Sequence, residues 1–178
     1  MDLLLWLEST KAEHVMVRDV VTLDQESILA HGAALLLEEQ ISGLPVVNNE
    51  GACVGILSAS DVIGSGERAS LEREKIAESS FWSSNLALPS RVYADKLEAV
   101  RDKIAPAAEQ PVKHFMTADL VSVGEDVRLT TVVQYMVDAH IHRVVVLDEA
   151  KRLRGIISTI DVLAAMLRET GKVGVFEE

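Results

Sequence analysis

A serine followed three residues later by an aspartate occurs twice in this sequence, at Ser58–Asp61 and at Ser158–Asp161. At the start of a helix this spacing forms a capping box, in which each side chain accepts the backbone N–H of the other residue. A short carboxylate fixed at a helix start can also accept two hydroxyl donors at once. A structural cap accounts for the pattern without a ligand, and a capping carboxylate remains able to bind hydroxyls as well.

Positive charge is distributed unequally around these two pairs. Residues 20–66 contain no Lys or Arg, whereas His142 and Arg143 precede the second pair. Arg143 carries a fixed charge on a flat donor fork that suits phosphate oxygens, and Arg18 is a second candidate. The alternative for Arg143 is a surface ion pair, and we expect 151–154 to be a solvated turn.

Composition and motifs argue against several functions. The net charge of -11 over 178 residues disfavours nucleic acid, whose binding needs clustered Lys and Arg. Of the five histidines only His140 and His142 lie close in sequence, so no metal site is predicted. The sequence has no nucleophile elbow, glycine-rich phosphate loop or metalloprotease motif, and we expect a protein that is not an enzyme.

The lone cysteine and the apolar start bear on the compartment. Cys53 is the only cysteine, so no internal disulfide can form, which fits a reducing compartment. The apolar stretch 3–7 is too short to span a membrane and has no basic flank. We expect a short amphipathic helix that docks on the body or on a partner chain, no membrane contact, and a cytoplasmic location.

An internal repeat at an offset of 100 residues relates the two Ser–x–x–Asp pairs. The register holds without a gap from His14 and His114 to Val62 and Val162. Each copy has the pattern of strand, helix, strand, strand and helix, with a polar hairpin turn between the last two strands. One copy is too small to cover its own sheet, so we expect the two to pack together. The expected divisions are an N-terminal helix 1–13, a first copy 14–64, a bridge 65–111, a second copy 112–170 and a tail 171–178.

The bridge is predicted to be partly helical. Residues 65–67 look loose, and the charged stretch 71–78 can extend the preceding helix. Phe81-Trp82 is expected to anchor the bridge on the body, and 92–104 has the apolar spacing of an amphipathic helix that prolines end.

The two copies resemble CBS domains, and the chain resembles a tandem CBS pair, also called a Bateman module. Met16 and Met116-Thr117 match the usual opening of the domain. Val145 stands where the first copy has Pro45, and the bridge is longer than in many such pairs. The remaining motifs are Ile41-Ser42-Gly43-Leu44-Pro45-Val46-Val47 and Gly55-Ile56-Leu57-Ser58 with Asp61, then His142-Arg143-Val144-Val145-Val146 and Gly155-Ile156-Ile157-Ser158 with Asp161.

The resemblance implies an α+β fold of two βαββα repeats packed about a pseudo-twofold axis, and a homodimer that associates through helices. It also implies an adenine nucleotide, AMP, ADP or ATP, in the cleft between the repeats, with S-adenosylmethionine still open and no required cofactor. The aspartate would take the ribose hydroxyls, the His-Arg pair the phosphates, and the opening strand of the opposite repeat the adenine. Site A would comprise Asp161, Ser158, Arg143, Val17, Arg18, Asp19, Val20, Val21, Ile41 and Ser42, and site B Asp61, Ser58, Thr117, Leu120, Val121 and His142.

Three functions follow from the resemblance. The first is a regulatory sensor that passes its ligand state to an unidentified protein partner. The second is a structural interaction module whose acids only cap helices. The third is an enzyme, because CBS pairs occur inside inosine-monophosphate dehydrogenases, but this sequence has neither a barrel nor a dehydrogenase cysteine loop. We therefore expect no such activity.

Overall fold

The computed structural model describes residues 3–71 and 107–169. These residues form two compact units. The central unit takes 21–71 and 107–120, and the composite unit takes 3–20 and 121–169. The opening segment of each repeat therefore belongs to the unit that contains the sheet of the other repeat.

The described helices and strands follow the order that the repeat predicts. Short 3-10 turns at Ala12–His14 and Val112–His114 open the two repeats. The elements are, in chain order, α1 (Leu3–Ser9), β1 (Leu23–Asp24), α2 (Leu29–Glu38), β2 (Gly43–Val47), β3 (Cys53–Ser58), α3 (Ala59–Leu71), β4 (Ser122–Val123), α4 (Leu129–Asp138), β5 (Arg143–Leu147), β6 (Leu153–Ser158) and α5 (Thr159–Glu169).

Each unit contains one three-stranded mixed sheet. In the central unit β1 pairs parallel with β2, which pairs antiparallel with β3, and β4, β5 and β6 repeat this arrangement in the composite unit. The registers agree at the offset of 100, because Gly43 lies opposite Ser58 and Arg143 lies opposite Ser158. The predicted α+β class and the two repeats are confirmed.

The two hairpin turns are held by one polar side chain each. Asn48 Oδ1 accepts the backbone N–H of Glu50 at 3.0 Å and of Ala52 at 2.9 Å. Asp148 Oδ1 makes the equivalent pair of bonds to residues 150 and 152. The turn also needs a left-handed residue, which is Gly51 in the first hairpin and Lys151 in the second.

A helix covers one face of each sheet. Residues of β3 alternate between buried and partly buried, as expected for a strand with one face on a core. Leu29, Ala33 and Leu36 of α2 are buried, as are Leu129 and Met136 of α4. The cores comprise Leu23, Leu29, Ala33, Leu36, Leu44, Val46, Leu57, Ala59, Val62, Ala107 and Val112 in the central unit, and Ala12, Met16, Val123, Leu129, Val132, Met136, Val144, Val146, Ile157 and Val162 in the composite unit.

The N-terminal helix docks as predicted. Trp6 and Leu7 of α1 pack partly buried against the composite core, while Leu4 and Leu5 are 68% and 65% exposed. None of the helices in the described ranges is long and apolar enough to cross a membrane.

One local prediction was wrong. Residues 65–67 are not loose, because α3 continues through them to Leu71. Ser65 fits inside the helix because its buried hydroxyl donates to the Val62 carbonyl oxygen at 2.6 Å. The first strand of each repeat is short, Leu23–Asp24 in one and Ser122–Val123 in the other. The predictions for 72–106, including the Phe81-Trp82 anchor and the helix over 92–104, lie outside the described residues.

Candidate functional site

Both Ser–x–x–Asp pairs form capping boxes at the starts of α3 and α5. The Ser158 backbone N–H donates to Asp161 Oδ2 at 2.7 Å, and the Asp161 N–H donates to Ser158 Oγ at 3.3 Å. The corresponding distances for Ser58 and Asp61 are 2.8 and 3.3 Å. In both pairs the serine hydroxyl also donates to Oδ2. Within the described residues Asp161 accepts hydrogen bonds through Oδ2, so Oδ1 can accept a further donor.

Sheet register places a cation opposite the serine of the second box. Arg143 of β5 lies directly opposite Ser158, at a spacing of about 5 Å between Cβ atoms in such pairs. The Thr159 N–H donates to the His142 carbonyl oxygen at 3.0 Å, which fixes the His-Arg pair beside the helix start. In the central unit Gly43 stands opposite Ser58, so the equivalent position has no charge.

The opening segments lie against the last strand of each sheet. Val17 and Ile156 exchange two backbone hydrogen bonds at 2.9 and 3.0 Å, and Thr117 and Ile56 do the same. A Cβ added at Gly155 would lie 2.8 Å from the Val17 carbonyl oxygen, so glycine allows this close approach. Ile156 of β6 therefore has Val17 on one side and Val145 of β5 on the other. Ile156 precedes Ser158 by two residues, so Val17 lies near the start of α5.

The structure divides each predicted site between the two units. Val21, Ile41 and Val121 pack partly buried against the cores, which agrees with a packing role for these three. The composite unit holds Ser158, Asp161, Arg143, Val17, Arg18, Asp19 and Val20 of site A with Val121 and His142 of site B, and the central unit holds Ser58, Asp61, Thr117 and Leu120 of site B with Val21, Ile41 and Ser42 of site A.

A charge cluster in the composite unit was not predicted from the sequence. Arg18 Nη1 lies 3.2 Å from Glu125 Oε1, and Arg154 Nε lies 3.2 Å from Glu125 Oε2. Arg154 was expected to be a solvated turn residue, and its side chain is 48% exposed but paired. Alternation along β6 puts Arg154 on the same face as Ser158. That alternation was the sequence signal that could have predicted a charge on this face.

Other potential sites in the described residues are less promising. A cleft of about 310 Å³ is lined by Trp6, His14, Arg168 and neighbours, and it contains none of the predicted site residues. No group of three metal-ligating side chains occurs in 3–71 or 107–169. Burial raises the pKa of the Cys53 thiol above its ordinary value, which is the opposite of activation. His14 accepts the Lys11 backbone N–H through Nδ1.

Comparison with known families identifies both repeats. The sequence model of the CBS domain matches residues 12–67 and 112–168. The chain is 28% identical over 153 residues to an inosine-5'-monophosphate dehydrogenase of Methanocaldococcus jannaschii, a match that covers 86% of this chain but 23% of that protein. Because the match spans so little of the dehydrogenase, it transfers only the CBS region and not the enzymatic activity.

Solved structures share the fold. One is CBSX2 in complex with AMP, with a TM-score of 0.66 and 16% identity over 91% of this chain and 99% of that one. Another is the CBS domain pair of protein MJ0100 in complex with 5'-methylthioadenosine and S-adenosyl-L-methionine. It has a TM-score of 0.60 and 18% identity over 90% of this chain and 98% of that one. At these identities the likeness establishes architecture alone.

Proposed function

This chain belongs to the CBS domain family, and from that membership we propose that it is a non-catalytic regulatory module that binds an adenine nucleotide. The proposed ribose site is the Ser158–Asp161 corner of the composite unit. The observation that carries the proposal is the register of Arg143 opposite Ser158, which puts a phosphate-binding cation next to a fixed carboxylate.

Asp161 suits a ribose because its position is already fixed. The capping box holds the carboxylate through Oδ2 at the start of α5, and Oδ1 can accept a hydroxyl. A carboxylate that is positioned before binding loses little conformational freedom when a ligand arrives. Capping and binding are therefore compatible roles for the same side chain.

Arg143 suits a phosphate because its charge is permanent and its donors form a planar fork. His142, Arg18 and the peptide groups near Val17 complete the proposed surroundings of the ligand. In the central unit, Ser58, Asp61, Thr117 and Leu120 form a second candidate site, but Gly43 replaces the arginine there. We therefore assign the phosphorylated ligand to the composite unit.

The identity of the ligand is proposed as AMP, ADP or ATP. Structural relatives solved with AMP, and with 5'-methylthioadenosine and S-adenosyl-L-methionine, support an adenine-containing ligand and keep S-adenosylmethionine as an alternative. Binding would favour one arrangement of the chain, and an unidentified protein partner would respond to that change.

We also propose a homodimer. Helix α5 exposes an apolar stripe formed by Ile160, Leu163 and Leu167, which are 68%, 53% and 54% exposed. Their spacing of three and four residues puts them on one helix face, and a second copy of the same face would cover it in a two-fold arrangement.

Isothermal titration calorimetry with AMP, ADP, ATP and S-adenosylmethionine tests the proposal. Arg143→Ala should weaken nucleotide binding by about tenfold or more, because a hydrogen bond between two charged groups is lost. Arg152→Ala is the matched control, since it removes an arginine from an exposed position of the same unit. If no ligand of the panel binds the native protein, the alternative of a structural interaction module is favoured instead.

A further inference from the structure

Two arginines from distant parts of the composite unit share one carboxylate. Glu125 accepts from Arg18 through Oε1 and from Arg154 through Oε2, each at 3.2 Å. Arg18 also donates to the backbone oxygen of Glu13 at 3.4 Å. The two arginine side chains are 54% and 48% exposed, so an anion in solution can reach both guanidinium groups.

The fold does not require this cluster. At the offset of 100 residues the central unit has Ala118 for Arg18, Gln25 for Glu125 and Val54 for Arg154. The central sheet nevertheless has the same strand order and an equivalent register. The strand order and register of such a sheet therefore do not depend on these three charged residues.

The cluster lies on the same face of β6 as the proposed ribose site. Arg154, Ile156 and Ser158 alternate with buried residues and therefore share the face of the strand that points away from the composite core. Arg154 and Ser158 are four positions apart along the strand, which is roughly 13 Å between Cα atoms. Arg143, directly opposite Ser158, is much nearer to the corner than the Arg18–Glu125–Arg154 cluster is.

From this placement we infer that Glu125 is a specificity-determining residue that makes the site prefer AMP to ATP, an inference that rests on the proposed function. A monophosphate bound through its ribose at Asp161 ends near Arg143. A triphosphate extends two phosphate groups further along the strand face. Glu125 accepts from one nitrogen of each guanidinium group, and its charge offsets theirs and repels the added phosphates.

The test compares native protein with Glu125→Gln, using calorimetric titrations of AMP, ADP and ATP. The substitution removes the competing charge but keeps the side-chain shape. We expect ATP affinity to rise about fivefold, because the released arginines can form two exposed ion pairs with the added phosphates and each such pair contributes little. AMP affinity should change by less than about twofold. Circular dichroism melting verifies that the variant remains folded.

Two further variants separate this mechanism from general charge effects. Glu149→Gln removes the same formal charge from an exposed turn of the same unit, and it should leave the ratio of ATP to AMP affinity unchanged. In Glu125→Gln combined with Arg154→Gln, ATP affinity should return toward the native value, because one of the released donors is gone.

The outcomes distinguish the inference from the function beneath it. If the native protein binds nucleotide but Glu125→Gln shifts the ATP to AMP ratio no more than Glu149→Gln does, the selectivity role is wrong and the nucleotide site stands. If neither the native protein nor the Glu125 variant binds any of the three nucleotides, the proposed function fails and the inference fails with it.

Discussion

Replacing Gly155 by alanine should destabilise the composite unit through a single added methyl group. The Cβ would lie 2.8 Å from both the Val17 carbonyl oxygen and the Met16 Sδ, which is well below the ordinary contact range of 3.4–4 Å. The Met16 side chain can rotate, but the carbonyl oxygen belongs to the backbone. The opening segment must therefore move away from β6.

The expected cost follows from two effects. Overpacking a tight contact costs about 1–3 kcal/mol. Moving the segment also weakens the two hydrogen bonds between Val17 and Ile156, at 2.9 and 3.0 Å, which contribute about 1 kcal/mol each when fully lost. Because these losses overlap, we expect the free energy of unfolding to fall by about 2–3 kcal/mol.

Urea denaturation followed by circular dichroism measures this change, and Gly64→Ala is the matched control. Gly64 lies inside α3, where an added Cβ meets no atom of the described residues within 4 Å. Alanine should stabilise that helix by about 0.5–1 kcal/mol, because it restricts the unfolded chain and favours helix. Equal unfolding free energies for the Gly155 variant and the native protein would refute the reasoning.

Three other perturbations have defined outcomes. Asp61→Ala and Asp161→Ala should each lower the free energy of unfolding by about 1 kcal/mol through loss of the capping box, while only Asp161→Ala should weaken AMP binding in calorimetry; equal loss of binding in both would contradict the assignment to one unit. Leu163→Glu should convert a dimer to a monomer in analytical ultracentrifugation, and an unchanged sedimentation coefficient would exclude the α5 stripe as the interface. The raised pKa of the buried Cys53 thiol means that the folded protein keeps its proton while the unfolded chain loses it, so stability should fall as pH rises above the ordinary thiol pKa of about 8.5. Urea titrations of Cys53→Ala should lack that part of the alkaline loss, and identical alkaline profiles would show that the thiol contributes nothing.

The order of elements could be predicted because local patterns and duplication agree. Apolar spacing marks the helices, polar turns mark the hairpins, and the second copy repeats each signal. Asn48 and Asp148 are different side chains, yet each accepts the same two backbone N–H groups, so the turn is specified by an acceptor at one position. The helix through Ser65 was not predicted because Ser and Gly usually mark loops. The buried Ser65 hydroxyl donates to a carbonyl oxygen within α3, and that hydrogen bond leaves no sequence signal.

The site was harder to predict because it depends on pairing between distant segments. Sequence alone indicated Asp161 and Arg143 as candidates, but only the strand register places Arg143 opposite Ser158. The ion pairs of Glu125 join residues 107 and 29 positions apart, which no local pattern reports. Comparison of the two copies does indicate them, since the three equivalent positions of the central unit hold uncharged residues.

Native mass spectrometry of the protein after incubation with excess AMP tests the central claim most directly, because it reads bound ligand without relying on a stability change. The account predicts a mass increase of one AMP for each chain in the native protein, and loss of that adduct in a chain carrying both Asp161→Ala and Arg143→Ala. A native protein that keeps the mass of the bare chain, or a double variant that retains the adduct, would contradict it.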